Sequence, residues 1–332
     1  MTSYDVYGIG NALVDTEYEV DEAFLQDAKL PKGMMTLIDA TDRTRLIQLL
    51  EEEHEREVIK QAGGGSAANT MVALAQFGGR AFYSCKVASD DTGDFFMADL
   101  REAGVHTNLD DGREPGITGK CISMITPDAE RTMTTHLGIT EQLSARELNV
   151  DALAQSRYLY IEGYLVTSPT AFDAAKQAQD IARKNGGLVS VTLSDPAMVE
   201  NFSGAFDELA SRGLDLIFCN EDEARLWTGA SSREEAMSRL RERVRCVAMT
   251  CGKEGALVYD GSTASMVAGV PTKAVDTTGA GDMFAGAFLY AINTGATFAD
   301  AAALANRAAS LLVSSFGARL ATEVVRKELL GR

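Results

Sequence analysis

The chain has 332 residues, of which 45% are hydrophobic and 24% are charged, and its formal net charge at pH 7 is -17. This composition is typical of a globular protein, and the length allows one large α/β domain or two ordinary ones. Because there is no surplus of basic side chains to neutralise phosphates, the charge argues against a general nucleic-acid or anionic-membrane binder. A small anionic ligand is compatible with it, since such a ligand needs only a local site.

The five cysteines favour buried thiols over a disulfide framework or a zinc cluster, because their number is odd and no C-x-x-C pair occurs. The N-terminal stretch "MTSYDVYGIGNALVD" has neither the basic nor the apolar region of a secretory signal. No uncharged apolar run reaches the length of about 18 residues that a membrane-spanning helix needs. We therefore expect a cytoplasmic protein.

Short apolar strands alternate with amphipathic helices along most of the chain. Strands are predicted in "YDVYGIG", "GRAFYSCKVA", "YLYIEGYL", "GGLVSVTLS", "LDLIFCN", "CVAMTCG" and "GALVYDG". Helices are predicted over residues 66–77, 94–103, 169–185, 221–228, 233–243, 281–294 and 298–314. This alternation predicts a parallel sheet with helices on both faces, in which ligands bind beyond the C-terminal ends of the strands.

Two segments, 12–40 and 105–137, break the alternation. They are rich in β-branched residues and turn signals and contain no clear helical pattern. The stretch "GITGKCISMITPDAERTMTTHLG" alternates as exposed antiparallel strands do, around the turn "PDAER". No linker divides the chain, so we predict one domain over residues 1–332 with a small β-sheet projecting from it, plausible as a lid.

The stretch "GGGSAANTMVALAQFGG", which begins at Gly63, leaves three interpretations open. Its G-x-G-x-x-A spacing nominally fits a dinucleotide-binding turn, although the preceding "REVIKQA" is a poor buried strand. A purely structural turn, with Ser66 capping the following helix, is the second. In the third, Gly64 and Gly65 let a ligand approach the backbone and Asn69 bonds a polyol. Three glycines followed by an asparagine exceed what a cap needs.

The stretch "GIGNALVD" also places glycines at the end of a strand, followed by Asn11 and Asp15. It is compatible with a turn closed by an Asx hydrogen bond. It is equally compatible with a carboxylate that accepts two vicinal hydroxyls of a sugar, with Asn11 beside it.

The stretch "DTTGAGDMFAGAF" predicts a helix that begins near Gly281. The free N–H groups of Gly279, Ala280 and Gly281 form an anion site at its N-terminus, where the helix dipole also favours the charged form of Asp282. Such a carboxylate could accept a proton from an alcohol that attacks phosphorus, while the N–H groups stabilise the developing charge. The alternative is that Asp282 is simply a favourable first-turn acid.

Other phosphate and nucleophile motifs are missing. The P-loop pattern, the protein-kinase motifs and a G-x-S-x-G turn do not occur, and the three histidines lie on separate segments. A histidine-based triad is therefore disfavoured.

The two stretches "GGGSAANTMVALAQFGG" and "DTTGAGDMFAGAF" together resemble, in order and separation, the two signature patterns of the PfkB (ribokinase-like) carbohydrate kinase family. The resemblance covers essentially the whole chain. It implies a Rossmann-like α/β domain with a small β-sheet lid, in agreement with the pattern of elements. It also implies ATP-dependent phosphorylation of a hydroxymethyl group, with Mg2+ and, in many members, a monovalent cation such as K+.

The resemblance also implies roles for single residues. The acid of the family's GAGD turn is the catalytic base, which here is Asp282, and the anion hole falls on Gly279, Ala280 and Gly281. Asn220 and Glu223 match an N-x-x-E motif of the family, in which the acid holds Mg2+ through water. The nucleotide contacts fall on Thr250, Gly252 and Gly255 of a T-x-G-x-x-G turn and on Asn306 near adenine. Asp276 and Ser315 match the positions that hold the monovalent cation.

Within the family, "YGIGNALVDTEYEVDEAFL", "YIEGYLVTSP" and "NEDEARLW" look most like the adenosine kinase branch, although Ala12 replaces the proline of its G-N-P-L-L-D pattern. In that branch the acid at Asp15 holds the ribose 2′- and 3′-hydroxyls, and a lid arginine, here Arg131, helps neutralise the transferred phosphate. "GGGSAANT", however, is closer to general sugar kinases than to the "GGSTQN" of animal adenosine kinases.

The expected function is an ATP-dependent kinase of a nucleoside 5′-hydroxyl, with adenosine giving AMP. The substrate-binding candidates are Asn11, Asp15, Gly64, Gly65, Ser66 and Asn69. The alternatives are a kinase of ribose, fructose or a related sugar, an inosine or guanosine kinase, and a catalytically silent sensor on the same fold. The sequence allows either a monomer or a homodimer.

Overall fold

Two β-sheets organise the chain in the computed structural model, which describes residues 3–109, 112–128 and 130–331. The larger sheet has eight strands in the order β13 (Ala264–Ala268), β12 (Gly255–Tyr259), β11 (Cys246–Thr250), β10 (Leu216–Asn220), β9 (Leu188–Thr192), β8 (Ser156–Ile161), β1 (Tyr4–Ile9) and β5 (Ala81–Ser84). Its strands pair in parallel from β5 to β11, and β12 and β13 extend one edge antiparallel. The predicted parallel sheet is confirmed.

The smaller sheet has five strands in the order β3 (Met35–Leu37), β7 (Arg131–His136), β6 (Gly119–Ile125), β2 (Leu13–Glu19) and β4 (Val58–Gly64). Its strands come from both expected lid segments and also from residues 58–64, which lie outside them. Because β4 pairs antiparallel with β2, the glycine turn after it does not follow a strand of the parallel sheet, as a dinucleotide-binding turn would. Residues 110, 111 and 129 of the expected 105–137 segment lie outside the described residues.

The helices surround both sheets. They are α1 (Glu22–Asp27), α2 (Ala40–Gln48), α3 (Ser66–Phe77), α4 (Asp91–Glu102), α5 (Val150–Ala154), α6 (Pro169–Lys184), α7 (Pro196–Ser211), α8 (Glu221–Thr228), α9 (Arg233–Arg243), α10 (Ala280–Asn293), α11 (Phe298–Val313) and α12 (Thr322–Val324). The sequence did not predict α7, whose apolar period is interrupted by a non-helical Phe202, nor α1 inside the 12–40 segment. None of the described helices combines the length and the apolar character needed to cross a lipid bilayer.

The core divides into two layers on the faces of the larger sheet. Val6 and Tyr7, neighbours in β1, belong to different layers because successive side chains of a strand point to opposite faces. One layer takes its apolar side chains from α3, α4, α10 and α11, and the other from α5 to α9. A third, smaller cluster joins β2 and β6 of the small sheet to α1 and α2.

Helices α3 and α10 approach each other unusually closely at Gly286. A Cβ atom on Gly286 would lie 2.6 Å from the Cβ of Ala73 and 2.7 Å from the carbonyl oxygen of Thr70. Such separations are closer than packed side chains tolerate. The absence of a side chain at Gly286 therefore lets the first turns of the two helices, with Ser66 and Asp282, come within hydrogen-bond distance.

Substitution of Gly286 by alanine tests this packing. We expect Gly286→Ala to lower the free energy of unfolding by about 1–3 kcal/mol, because the added methyl group forces α3 and α10 apart. Urea titration followed by circular dichroism measures the change. Gly204→Ala in α7 is the matched control, since a Cβ there meets no atom within 4 Å, and it should stabilise the helix by about 0.5–1 kcal/mol. Equal effects of the two variants would contradict the close contact.

Candidate active site

A cavity of about 1500 Å³ lies between the two sheets. One wall is formed by residues at or just beyond the C-terminal ends of parallel strands, including Asn11, Glu162, Asn220 and Thr250. The opposite wall comes from the small sheet, which contributes polar and apolar side chains from β2, β6 and β7. This is the edge of the sheet at which the strand–helix alternation predicts a ligand.

The N-terminus of α10 faces this cavity. Gly279 is the N-cap and has a φ of +74°, a left-handed conformation that favours glycine, and a Cβ there would also lie 2.6 Å from the carbonyl oxygen of Ala318. Gly279, Ala280 and Gly281 all line the cavity, although the N–H of Ala280 donates to the Thr277 carbonyl at 3.2 Å. The first N–H groups of a helix have no intrahelical acceptor, so this turn can bind an anion.

Asp282 is held by two donors from α3. The Ser66 hydroxyl donates to its Oδ1 at 2.6 Å, and the Asn69 amide donates to its Oδ2 at 3.1 Å. Ser66 is therefore not a helix cap; the N-cap of α3 is Gly65, whose φ is +95°. The two helices present one carboxylate, with both oxygens oriented, to the cavity.

Burial raises the pKa of Asp282 to about 6, against the hydrogen bonds from Ser66 and Asn69 and the positive charge of Arg319. The sequence predicts that the helix dipole favours the charged form, whereas desolvation acts in the opposite direction. A carboxylate with a pKa near 6 is mostly ionised at neutral pH and still accepts a proton readily, which is the property of a general base.

The predicted sugar-binding residues lie close together around the glycine turn. A Cβ on Gly64 would lie 2.5 Å from the Oδ2 of Asp15, and a Cβ on Gly65 would lie 2.4 Å from the carbonyl oxygen of Asn11. Gly65 is therefore required to be glycine, by its φ of +95° and by a backbone contact, whereas a side chain at position 64 would displace the Asp15 carboxylate. Burial raises the pKa of Asp15 to about 6, against the attraction of Arg319. Asn11, Asp15, Gly65, Ser66 and Asn69 line one cavity.

Glu162 is a buried acid of this site that the sequence analysis missed. Its side chain accepts hydrogen bonds from the Asn11 backbone at 3.2 Å, the Asn11 amide at 2.9 Å and the Ala67 backbone at 2.8 Å. It is 1% exposed, and burial raises its pKa to about 7. Glu162 thus ties the turn after β1 to the start of α3. An acid directly after the apolar run "YLYI" is the signal that could have revealed it.

Arg131 connects the small sheet to the loops around α10. Its guanidinium lies 3.2 Å from the Oδ2 of Asp276 and 3.5 Å from the Oε1 of Glu17. Asp276 also accepts hydrogen bonds from the Thr278 backbone at 3.0 Å, the Thr278 hydroxyl at 2.7 Å and the Gly317 backbone at 2.8 Å. Burial alone would raise the pKa of Asp276, but these hydrogen bonds and Arg131 lower it.

The residues expected to hold a monovalent cation are engaged with protein groups. Both oxygens of Asp276 have partners, one of them the cationic Arg131, and the Ser315 hydroxyl donates to the Leu312 carbonyl at 3.1 Å. A cation at Asp276 would have to compete with a guanidinium already beside it. As arranged here, these side chains do not fit a K+ site.

The residues expected near the nucleotide fall into two groups. Asn220, Glu223 and Thr250 line the cavity at the ends of β10 and β11. Gly252 and Gly255 bound the turn between β11 and β12, where their φ angles are +55° and +108°. Asn306 is buried on α11, and its amide donates to the Val267 and Ala268 carbonyls, each at 3.1 Å. The nucleotide contacts of both groups stay a prediction.

Glu223 is the residue best placed to hold Mg2+. It forms a capping box with Asn220, in which its carboxylate accepts from the Asn220 backbone at 2.9 Å and from the Asn220 amide at 2.8 Å. Burial raises its pKa to about 7, because desolvation disfavours the charged carboxylate. Among the described residues no three His, Cys, Asp or Glu side chains form a metal cluster. In phosphoryl-transfer sites Mg2+ takes one or two carboxylates together with waters and phosphates, and Glu223 fits such a contact.

Comparison with known proteins identifies the family. The sequence profile described as pfkB family carbohydrate kinase matches residues 32–324 of this chain. The chain belongs to the pfkB family. A probable sugar kinase from Rhizobium etli CFN 42 has a TM-score of 0.88 and 33% identity, with 100% of this chain and 99% of that one covered. The adenosine kinase of Sinorhizobium meliloti has a TM-score of 0.85 and 36% identity, with 98% and 99% covered.

PfkB kinases transfer phosphate from ATP to a hydroxyl group of a small molecule, and the fold described above is the ribokinase-like fold of this family. The relatives differ in acceptor. The ribokinase of Staphylococcus aureus (strain COL) is 26% identical over 282 residues, which cover 83% of this chain and 90% of the ribokinase. The chain is therefore a sugar or nucleoside kinase of the pfkB family.

The acids of the cavity make stability depend on pH. The pKa values of Glu162 and Glu223 rise from 4.5 to about 7, and those of Asp15 and Asp282 rise from 3.8 to about 6. Between these limits the folded chain binds protons that the unfolded chain has lost. The contribution of these four acids to stability is therefore fully present below about pH 4 and is lost as the pH rises towards 8. We expect the free energy of unfolding to fall by on the order of 5 kcal/mol between pH 5 and pH 8, as measured by urea titration at each pH.

Two glutamine variants separate this effect from the general titration of surface acids. Glu223→Gln should make the fall shallower while keeping the capping box, which accepts glutamine. Glu254→Gln removes an exposed acid whose pKa the ion pair with Arg233 lowers, so its contribution lies below this pH range. It should leave the slope unchanged. A stability that rises between pH 5 and pH 8 would refute the assignment.

Proposed function

We propose that this pfkB kinase transfers the γ-phosphate of ATP to the 5′-hydroxyl of a nucleoside, with adenosine giving AMP. One observation carries the proposal: the cavity holds Asp282, oriented at the head of α10, together with the Asp15 carboxylate and an apolar wall. That wall comes from or adjoins the small sheet, through the side chains of Leu13, Leu37, Met133 and Leu137. A nucleobase has an apolar face that such a wall can cover, whereas a free sugar has none of that size.

The residues of the site divide the reaction between them. Asp15 accepts the vicinal ribose hydroxyls, with Asn11 held beside the substrate by Glu162. Asp282 accepts the proton of the 5′-hydroxyl as its oxygen forms a bond to the γ-phosphorus. The bond from the γ-phosphorus to the bridging oxygen breaks, and ADP leaves.

Charge that develops on the transferred phosphate needs donors already in place. The N–H groups of Gly279 and Gly281 supply them at the positive end of α10, which costs no reorganisation during the reaction. Arg131 can add a positive charge from the small sheet. Bound Mg2+, held through water by Glu223, would neutralise the phosphate oxygens.

Asp282→Asn tests the base. We expect kcat to fall about 10²- to 10⁴-fold, because asparagine keeps the shape but cannot accept the proton. Its oxygen can still accept from Asn69, and its NH2 group can donate to the Ser66 hydroxyl. A coupled ADP-release assay measures kcat, and calorimetry should show ATP binding within about threefold of the parent.

Asp300→Asn is the matched control for Asp282→Asn. Asp300 is also a first-turn acid, at the N-terminus of α11, where it is hydrogen-bonded to Thr297 and exposed. If Asp282 were only a favourable first-turn charge, both variants would lose a little stability and neither would lose activity. A normal kcat for Asp282→Asn rejects the mechanism.

A second acceptor class has its own support, since the chain is similar to a ribokinase and carries "GGGSAANT". A panel of adenosine, inosine, guanosine, ribose and fructose, assayed for kcat/KM with ATP, separates the candidates. We expect adenosine to give the highest value, by about tenfold or more over either free sugar, because each buried contact with the base adds to binding. A preference for ribose or fructose would overturn the nucleoside assignment while leaving the kinase mechanism intact.

A further inference from the structure

Arg319 lies in the loop after α11 and reaches into the cavity beside the substrate-binding residues. Its Nε donates to the Oδ1 of Asn69 at 2.8 Å, and its Nη1 bonds the carboxylate of Asp99 on α4. The side chain is 14% exposed. Arg319 belongs to neither glycine-rich motif, and nothing in the sequence pattern predicts a role for it.

The contact with Arg319 decides which way the Asn69 amide faces. The amide has one accepting oxygen and one donating NH2 group. With the oxygen on Arg319, the NH2 group donates to Asp282 at 3.1 Å. A flipped amide would place its oxygen against the Asp282 carboxylate and its NH2 group against the guanidinium, and both contacts would be repulsive.

The Arg319–Asp99 ion pair also explains why the first residue of the triple-glycine turn, Gly63, is a glycine. A Cβ on Gly63 would lie 2.2 Å from the Oδ2 of Asp99 and 3.2 Å from the Nη1 of Arg319. Strand β4 of the small sheet therefore packs directly on the Arg319–Asp99 ion pair. The pair is thus enclosed on several sides, by α3, α4 and β4.

We propose that Arg319 is a positioning residue for the catalytic base: it holds the Asn69 amide in the one orientation that fixes the Asp282 carboxylate towards the acceptor hydroxyl. This inference rests on the proposed role of Asp282. Arg319, Asn69 and Asp282 thus form a chain of three hydrogen-bonded side chains from three separate elements. In this proposal only Asp282 takes the proton of the acceptor hydroxyl.

The charge of Arg319 acts in the same direction. The groups that surround Asp282 are otherwise acidic or weakly acidic, namely Asp15, Glu162, Tyr83, Tyr160 and Tyr164. Arg319 lowers the pKa values of both Asp15 and Asp282 against burial, although Asp99 offsets part of its charge. Loss of Arg319 should therefore raise the pKa of Asp282 further.

Arg319→Met is the first variant, since it keeps the length and removes the donors and the charge. We expect kcat above pH 8 to fall about 10- to 100-fold, because the base is ionised there but no longer oriented. The acid limb of the kcat/KM profile should move to higher pH. KM values for adenosine and ATP should change by less than about threefold. Arg307→Met, which removes an exposed arginine of α11, should change none of these.

A double-mutant cycle with Asn69→Ala tests whether the effect passes through the amide. Above pH 8, Arg319→Met should lower kcat in the parent but change it less than about twofold in the Asn69→Ala background. Fully additive losses would overturn the proposal. So would a rise in KM at normal kcat, since Nη2 is buried without a hydrogen-bond partner among the described residues and would then be binding substrate.

Arg319→Lys keeps the inference testable if the methionine variant does not fold. Lysine can pair with Asp99 but cannot also donate to Asn69 along the Arg319 geometry, so kcat should still fall about tenfold with an unchanged melting temperature. Normal kcat in this folded variant would refute the inference. If Asp282→Asn is inactive while the Arg319 variants are normal, only the positioning role fails. If Asp282→Asn is active, the proposed function itself fails.

Discussion

The site depends on the contact between two helix N-termini, α3 and α10. Asp282 contributes a carboxylate from the first turn of α10, and Ser66 and Asn69 in the first two turns of α3 donate to its two oxygens. The helices can meet there only because Gly286 has no side chain where it faces Ala73. The packing of α3 against α10 and the orientation of the Asp282 carboxylate therefore depend on the same contact, because any change that separates the two helices also breaks the hydrogen bonds to Asp282.

This arrangement places several acidic side chains in one cavity. Burial raises the pKa values of Asp15, Glu162, Glu223 and Asp282, so the ionised site is less stable than the same fold with these groups neutral. Cations and hydroxyl donors are the ligands that relieve such a site. The acids thus favour a polyol and Mg2+ as occupants. Arg319 and Arg131 are the fixed cations that limit the rise in the pKa values of Asp15 and Asp282 and help to lower that of Asp276.

The small sheet is joined to the rest of the molecule through charged groups. Arg131 of β7 pairs with Asp276 beside the anion-binding turn, and β4 packs through Gly63 on the Arg319–Asp99 pair. Arg131, Gly63, Asp99 and Arg319 all line the cavity. Movement of the small sheet would therefore change both the charge around Asp276 and the packing on the Arg319–Asp99 pair.

The sequence by itself determined the local structure and the chemistry of the turns. Helical period placed α3, α8 and α9 at their observed ends, and the glycine pattern of residues 279–282 located the anion-binding helix start, because both are set by neighbours within one or two turns. Only the tertiary structure decided that Ser66 bonds Asp282, 216 residues away, that Arg319 bonds Asn69, 250 residues away, and that Glu162 holds Asn11. Burial, and with it the raised pKa of Asp282, has the same origin, because it depends on which distant elements pack together and no local pattern predicts that.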